Sequence, residues 1–226
     1  REALYKSRNL VSIRLLQDMG IDRSLRYIER FGFAPQDLPR NLSLALGTAS
    51  LTPMEIAEGW AAFANGGYKI EPYLIERIDD RNGKPLFRAN PARVPGSAPT
   101  EENANLTVNA TDELPLEEPK VAEQIIDERT AYVIKRGTGR RALALGRNDL
   151  AGKTGTTNES KDSWFSGYNA DYVTTVWAGF DQPESLGRHE YGGTVALPIW
   201  MNYMGAVLKD RPNHLPKEPK GLLTLR

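Results

Sequence analysis

The chain has 226 residues, 29 basic and 29 acidic side chains and no net charge. That length buries a sizeable core as one large domain or two small ones, and the balanced charge argues against the strongly basic face of a nucleic-acid-binding protein. It has no cysteine, which excludes thiol catalysis, disulfides and cysteine metal sites.

The first 70 residues read mostly as helix. "SRNLVSIRLLQDMG" spaces Leu10, Ile13 and Leu16 (or Leu15) for one helical face and stops at Gly20. "DRSLRYIERFG" repeats the pattern, with Asp22 placed to cap the start and Gly32 to end it. In "TPMEIAEGWAAFANGG", Thr52 and Glu55 have capping-box spacing and Pro53 takes the first helical position. Ile56, Trp60, Phe63 and Ala64 line one face, with Trp60 read as core, and Gly66–Gly67 end the helix. "YLIERIDDRNGKPLFR" then reads as a hairpin turning at Arg81–Asn82–Gly83.

From Pro95 to Pro119 the composition becomes acidic and rich in Ser, Pro, Asn and Thr, as in a loop or mobile insertion. The sequons at Asn105, Asn109 and Asn158 are chance matches. "VAEQIIDERTAYVIKRG" starts as a helix, and "KRGTGRR" (135–141) is a basic, solvated loop. Three strands follow, in "LAGKTGTT", "WFSGY" and "YVTTVWAGF". Asn169–Ala170–Asp171 is a tight link between the last two, giving an antiparallel meander. After Gly192–Gly193, "LPIWMNYMGAVL" is apolar nearly all round and is expected to pack on the sheet. The tail from Arg211 is expected to be loosely held. The fold class is therefore α/β of the α+β type, an antiparallel sheet flanked by helices. Residues 1–95 form a helical and hairpin part, 96–120 an acidic insertion, and 121–226 the sheet and last helix. No apolar stretch is long enough to cross a bilayer. The chain opens in mid-pattern without methionine, as a piece of something longer.

Lys153, bracketed by Gly152 and Gly155, invites a phosphate-loop reading. Gly146 lies one residue too far from Gly152 for that motif, and strand-like sequence follows where a helix is required. No Gly-x-Ser-x-Gly elbow occurs, and His189 and His214 sit in surface-like turns rather than as bases. On an ideal strand Lys153 and Thr154 point to opposite faces, so a flat strand cannot aim Lys153, Thr154 and Thr156 at one groove. A twisted edge strand with two glycines relaxes this. "KSRN" gives a second element: Ser7 and Asn9 just before a helix, where both residue types also serve as ordinary N-caps.

Ser-x-Asn near one end and Lys-Thr-Gly-Thr far along the chain match two of the three motifs of penicillin-recognising serine acyltransferases. With "ALGTASLTPMEIAEGWAAFANGGYKIEPYLIERI", "RGTGRRA", "LAGKTGTTNESKDSWFSGYNADYVTTVWAGFD" and "GGTVALPIWMNYM", most of the chain outside 96–120 resembles the transpeptidase domain of class A penicillin-binding proteins, of the type 1a group. The resemblance implies the serine β-lactamase/transpeptidase fold, incomplete here. It implies Ser7, Asn9 and Lys153 as catalytic residues, and Thr154, Gly155, Thr156, Thr157 and Trp164 as substrate-binding, with Thr157 and Trp164 lining the groove or packing under it. It further implies peptidoglycan stem peptides ending in D-Ala-D-Ala as substrate, β-lactams as inhibitors, and no metal, cofactor or nucleic acid. The implied location is the periplasmic face of the bacterial inner membrane, anchored outside this chain. Two departures stand out. No serine is followed three residues on by lysine, so the nucleophile would lie on an upstream part of the same protein. "ERTAYVIKRGTG" is several residues shorter than the resemblance implies. Water as acceptor (a carboxypeptidase or β-lactamase) and a non-catalytic cell-wall-binding module are the rival functions.

Overall fold

The computed structural model describes residues 2–97, 118–134, 140–216 and 218–222. They form two compact units, one from residues 1–69 and 125–226, the other from 70–124. Most of the acidic stretch, with Asn105 and Asn109, and most of "KRGTGRR" lie outside the described residues.

In the larger unit, α1 (Glu2–Tyr5) is a single turn and α2 runs Asn9–Met19. The residue before α2 is Arg8, and no side chain caps this helix, so Ser7 and Asn9 are not spent on N-capping. α2 buries Leu16, whereas Leu10, expected on the same face, is 70% exposed. α3 (Ile21–Ile28) starts after Gly20. Asp22 is therefore already inside the helix rather than its cap, and it accepts from Arg40 at 2.7 Å. α4 (Pro53–Ala64) has the expected capping box, the Thr52 hydroxyl accepting the Glu55 N–H while the Glu55 carboxylate accepts the Thr52 N–H. Trp60 is half-buried against Phe63 and Tyr168.

The segment expected to open as a helix at Val121 is extended. Ile125 and Ile126, both buried, donate their N–H groups to the Gly67 carbonyl. Gly67 has φ +110°, and any Cβ there would run into the Ile126 carbonyl. Tertiary backbone pairing thus outcompetes local helix formation, and α5 is only Glu128–Ile134. The smaller unit holds the expected hairpin, β1 (Arg77–Asp79) against β2 (Pro85–Arg88), its turn closed by Asp80 accepting from Asn82 and Lys84.

The main sheet is β3 (Ala151–Thr156), β4 (Asp162–Tyr168) and β5 (Val173–Gly179), an antiparallel meander in the order β3-β4-β5. β3 is therefore an edge strand among the described residues. α6 (Ala196–Val207) lies across one face, with Trp200 and Met204 at 0% exposure and Phe165 at 1% forming the centre of the core. The Trp200 indole donates to the Thr174 carbonyl at 3.1 Å, so its one polar atom is satisfied. α4 covers β4 and β5 on the other face. The tail is not loose at its start. Arg147 donates to the carbonyls of Arg211 and Pro212, and Asp149 accepts the His214 N–H at 3.0 Å.

Candidate active site

β3 is positioned from three sides. Its whole length pairs with β4, Lys153 standing opposite Ser166 and Gly155 opposite Trp164. Its entry is fixed by the Arg147–Asp149 pair at 2.6 Å, the Asp149 carboxylate fully covered and the Arg147 side chain 10% exposed. Burial works to raise the Asp149 pKa. Hydrogen bonds from Arg147, the His214 N–H and the Asn169 amide outweigh it and hold the carboxyl below its ordinary value. Its exit is closed by Thr157 and Asp162. The Thr157 hydroxyl donates to the Asp162 carboxylate and accepts the Asp162 N–H at 2.7 Å.

Lys153 leaves β3 toward the N-terminal loop. Its Nζ donates to the Ser7 hydroxyl at 2.6 Å, across 146 residues of sequence. It also donates to the Thr154 carbonyl at 2.9 Å and lies 3.5 Å from the Thr154 hydroxyl. Neighbours on a flat strand would diverge; the lysine stem instead folds back along the strand and brings its ammonium to its neighbour. Ser7 adopts φ +49°, an uncommon backbone for a residue other than glycine, and is solvent-exposed. Burial pushes the Lys153 pKa below its ordinary value. The result is an exposed hydroxyl held against a partly desolvated ammonium, an arrangement suited to moving a proton or attracting an anion.

The remaining expected site residues divide by contact. Asn9 opens α2 two residues from Ser7, exposed and without a side-chain hydrogen bond among the described residues. Gly155 lies close over Trp164; a Cβ there would stand 3.1 Å from the Trp164 Cβ. Trp164 packs against Trp177, ring centroids 6.1 Å apart, and the Trp177 indole donates to Asp162. The Thr156 hydroxyl accepts the Gly192 N–H at 3.0 Å and is otherwise open to solvent. No sequence signal points to that last contact, because Gly192–Gly193 reads there only as the approach to the last helix. Among the described residues no group of three or more His, Asp or Glu could hold a metal ion. No helix among them is long and apolar enough to cross a membrane.

A family model described as the penicillin binding protein transpeptidase domain matches residues 1–205. Penicillin-binding protein 1A of Pseudomonas aeruginosa is 59% identical over 255 residues, an alignment covering 100% of this chain and 31% of that protein. The crystal structure of penicillin-binding protein 1A from Haemophilus influenzae superposes with a TM-score of 0.81 at 35% identity, covering 96% of this chain and 35% of that one. The Mycobacterium tuberculosis PonA1 protein, solved in complex with penicillin V, shares the fold at a TM-score of 0.72 and 22% identity, over 97% of this chain and 59% of that one. The chain spans about a third of the length of the two 1A relatives. It belongs to the penicillin-binding protein transpeptidase family, and its mixed helix and antiparallel sheet is the β-lactamase/transpeptidase fold.

Proposed function

We propose that this chain is the carboxyl-terminal part of a peptidoglycan D,D-transpeptidase. It works through an acyl-serine ester, with the nucleophile supplied by a Ser-x-x-Lys segment outside the chain. The donor is a stem peptide ending in D-Ala-D-Ala and the acceptor an amine on a neighbouring stem; β-lactams mimic the donor. One observation carries the proposal: Lys153 Nζ on Ser7 Oγ at 2.6 Å, joining two motif fragments that have no local reason to meet.

In this reaction the Ser7 hydroxyl passes a proton between the lysines and the leaving amine, and Asn9 holds a substrate amide and the absent motif's lysine. The Lys153 charge attracts the substrate carboxylate and depresses the pKa of that second lysine, readying it as a base. Thr154 and Thr156 donate to the carboxylate. The Thr156 amide gives one oxyanion donor, a contribution whose loss typically costs about a hundredfold or more in rate. Thr157 and Trp164 hold the strand from beneath. The whole protein sits at the periplasmic face of the inner membrane and carries a glycosyltransferase domain as well.

Water as acceptor would use the same residues, and a binding module would need none of them to react. Intact mass of the complete protein after incubation with penicillin G separates the enzyme from the module. A single penicilloyl adduct on the upstream serine, slowed in Lys153→Ala, is expected. An unmodified protein at saturating drug would remove the enzymatic reading. Release of cross-linked rather than trimmed muropeptides distinguishes amine from water as acceptor.

A further inference from the structure

We propose that Arg141 and Gly192 form a positioning relay that turns the Thr156 hydroxyl into a fixed hydrogen-bond donor for the substrate carboxylate. The inference rests on the assignment of Thr156 to carboxylate recognition and adds how that recognition is set. A hydroxyl has one proton and two lone pairs, and it rotates freely unless something fixes it. The Gly192 N–H occupies a lone pair of Thr156 Oγ1 at 3.0 Å. No acceptor takes the Thr156 proton among the described residues, so the proton is left for a ligand, and a carboxylate accepts only.

The N–H is aimed by its own surroundings. The Gly192 carbonyl accepts the Leu197 N–H at 2.8 Å, tying this residue to the first turn of α6. Thr194 knits the preceding turn, its hydroxyl accepting the Tyr191 N–H and lying 2.8 Å from the His189 carbonyl it donates to. Gly193 is gripped from outside the loop, where Arg141 Nη1 donates to its carbonyl at 2.7 Å. Gly192 itself has no room for a side chain. A Cβ would meet the Trp164 carbonyl at 2.5 Å and the Gly155 carbonyl at 2.6 Å. Both are sheet backbone that does not yield, so any other residue lifts the loop from β3 and withdraws the N–H. Arg141 touches no substrate in this scheme; it acts through Gly193 and Gly192.

The test uses the complete protein and two acyl donors, a thioester ending in a free carboxylate and the same thioester amidated there. The readout is the ratio of their kcat/KM values, alongside thermal unfolding. Arg141→Ala and Gly192→Ala are each expected to lower the preference for the carboxylate donor by about tenfold, the size of one well-placed hydrogen bond. Arg141→Lys restores most of it, and turnover of the amide donor hardly changes. Thr156→Val loses the same preference, and adding Arg141→Ala to it costs nothing further, because both act on one contact. If Arg141→Ala keeps the full preference while Thr156→Val loses it, the relay is wrong and the Thr156 assignment survives. If Thr156→Val keeps the preference, the assignment falls and takes the relay with it. Should Gly192→Ala not fold, the Arg141 pair of variants still decides.

Discussion

Ser7 and Lys153 are held together by one charge-assisted hydrogen bond, and its worth is measurable. A bond to a charged group contributes about 1.5–3 kcal/mol when shielded from water. Lys153 is partly buried but Ser7 is exposed, so solvent screening brings the expected coupling down to about 1–2 kcal/mol. The second-order rate of acylation by a fluorescent penicillin should be measured for Ser7→Ala, Lys153→Met and the double variant of the complete protein. Each single change slows acylation, Lys153→Met more, because it also removes the charge that draws the carboxylate. The double variant should be faster than the product of the single effects allows, by about five- to thirtyfold. Strictly multiplicative losses would show that the two side chains act independently, and the 2.6 Å contact would then have no part in the chemistry.

Three further outcomes follow from the same geometry. Burial lowers the Lys153 pKa, and deprotonation removes the charge that attracts the carboxylate, so acylation should fall on the alkaline side below the ordinary lysine range. Lys153→Arg should move that limb to higher pH, and an unmoved limb assigns it elsewhere. Arg147→Met strands the covered Asp149 carboxylate and should cost about 3–5 kcal/mol in urea unfolding. The folded Asp149 pKa lies below its unfolded value near 3.8, so its contribution is complete above that pH and is lost as pH falls through the folded value. Asp149→Asn should abolish this acid dependence, and unfolding curves at pH 2 to 6 check it. Trp200→Ala, at 0% exposure between α6 and the sheet, should cost about 3–5 kcal/mol, whereas Trp177→Ala, at 37%, should cost clearly less by the same measurement.

What the sequence made legible was local. The Thr52–Glu55 box, the turn at Asp80–Lys84 and the β3-β4-β5 meander each depend on residues a few positions apart, and each formed where the pattern placed it. The misjudged pieces depend on distant backbone partners. Residues 121–126 are extended because their backbone pairs with distant segments, Val121 and Ala122 with Arg93 and the N–H groups of Ile125 and Ile126 with Gly67. The tail is held because a buried carboxylate at Asp149 needs the His214 N–H. Asp22 was displaced from the cap by a helix that begins directly after Gly20. For the site, spacing alone left Ser7 and Asn9 as helix caps and Lys153 as a surface lysine; only the resemblance paired them. Arg141 and Gly192 lie in stretches that carry the resemblance, "RGTGRRA" and "GGTVALPIWMNYM", but no spacing rule announces their contacts, because one ends on a backbone carbonyl and the other starts from a backbone N–H.

The two halves of the site differ in how firmly they are built, and this has a consequence for Ser7. β3 is fixed at entry by Arg147–Asp149, along its length by β4, and at exit by Thr157–Asp162. Ser7 follows a one-turn helix, is exposed, and holds a left-handed backbone at φ +49°. That conformation costs an L-residue about 1–2 kcal/mol, close to what the Lys153 contact supplies. The turn is also tied by backbone bonds, Ser7 N–H to Leu4 and Arg8 N–H to Ala3, while the Arg8 carbonyl accepts from Val11 and Ser12. The rigid strand therefore holds the loop in shape, and not the reverse. In Lys153→Met the amides of residues 6–9 should exchange with solvent faster, by about five- to thirtyfold if the contact is worth its expected 1–2 kcal/mol. Ser7→Ala should leave the amides of β3 unchanged. Faster exchange in β3 on removing Ser7, or an unaltered loop on removing Lys153, would reverse that order of support.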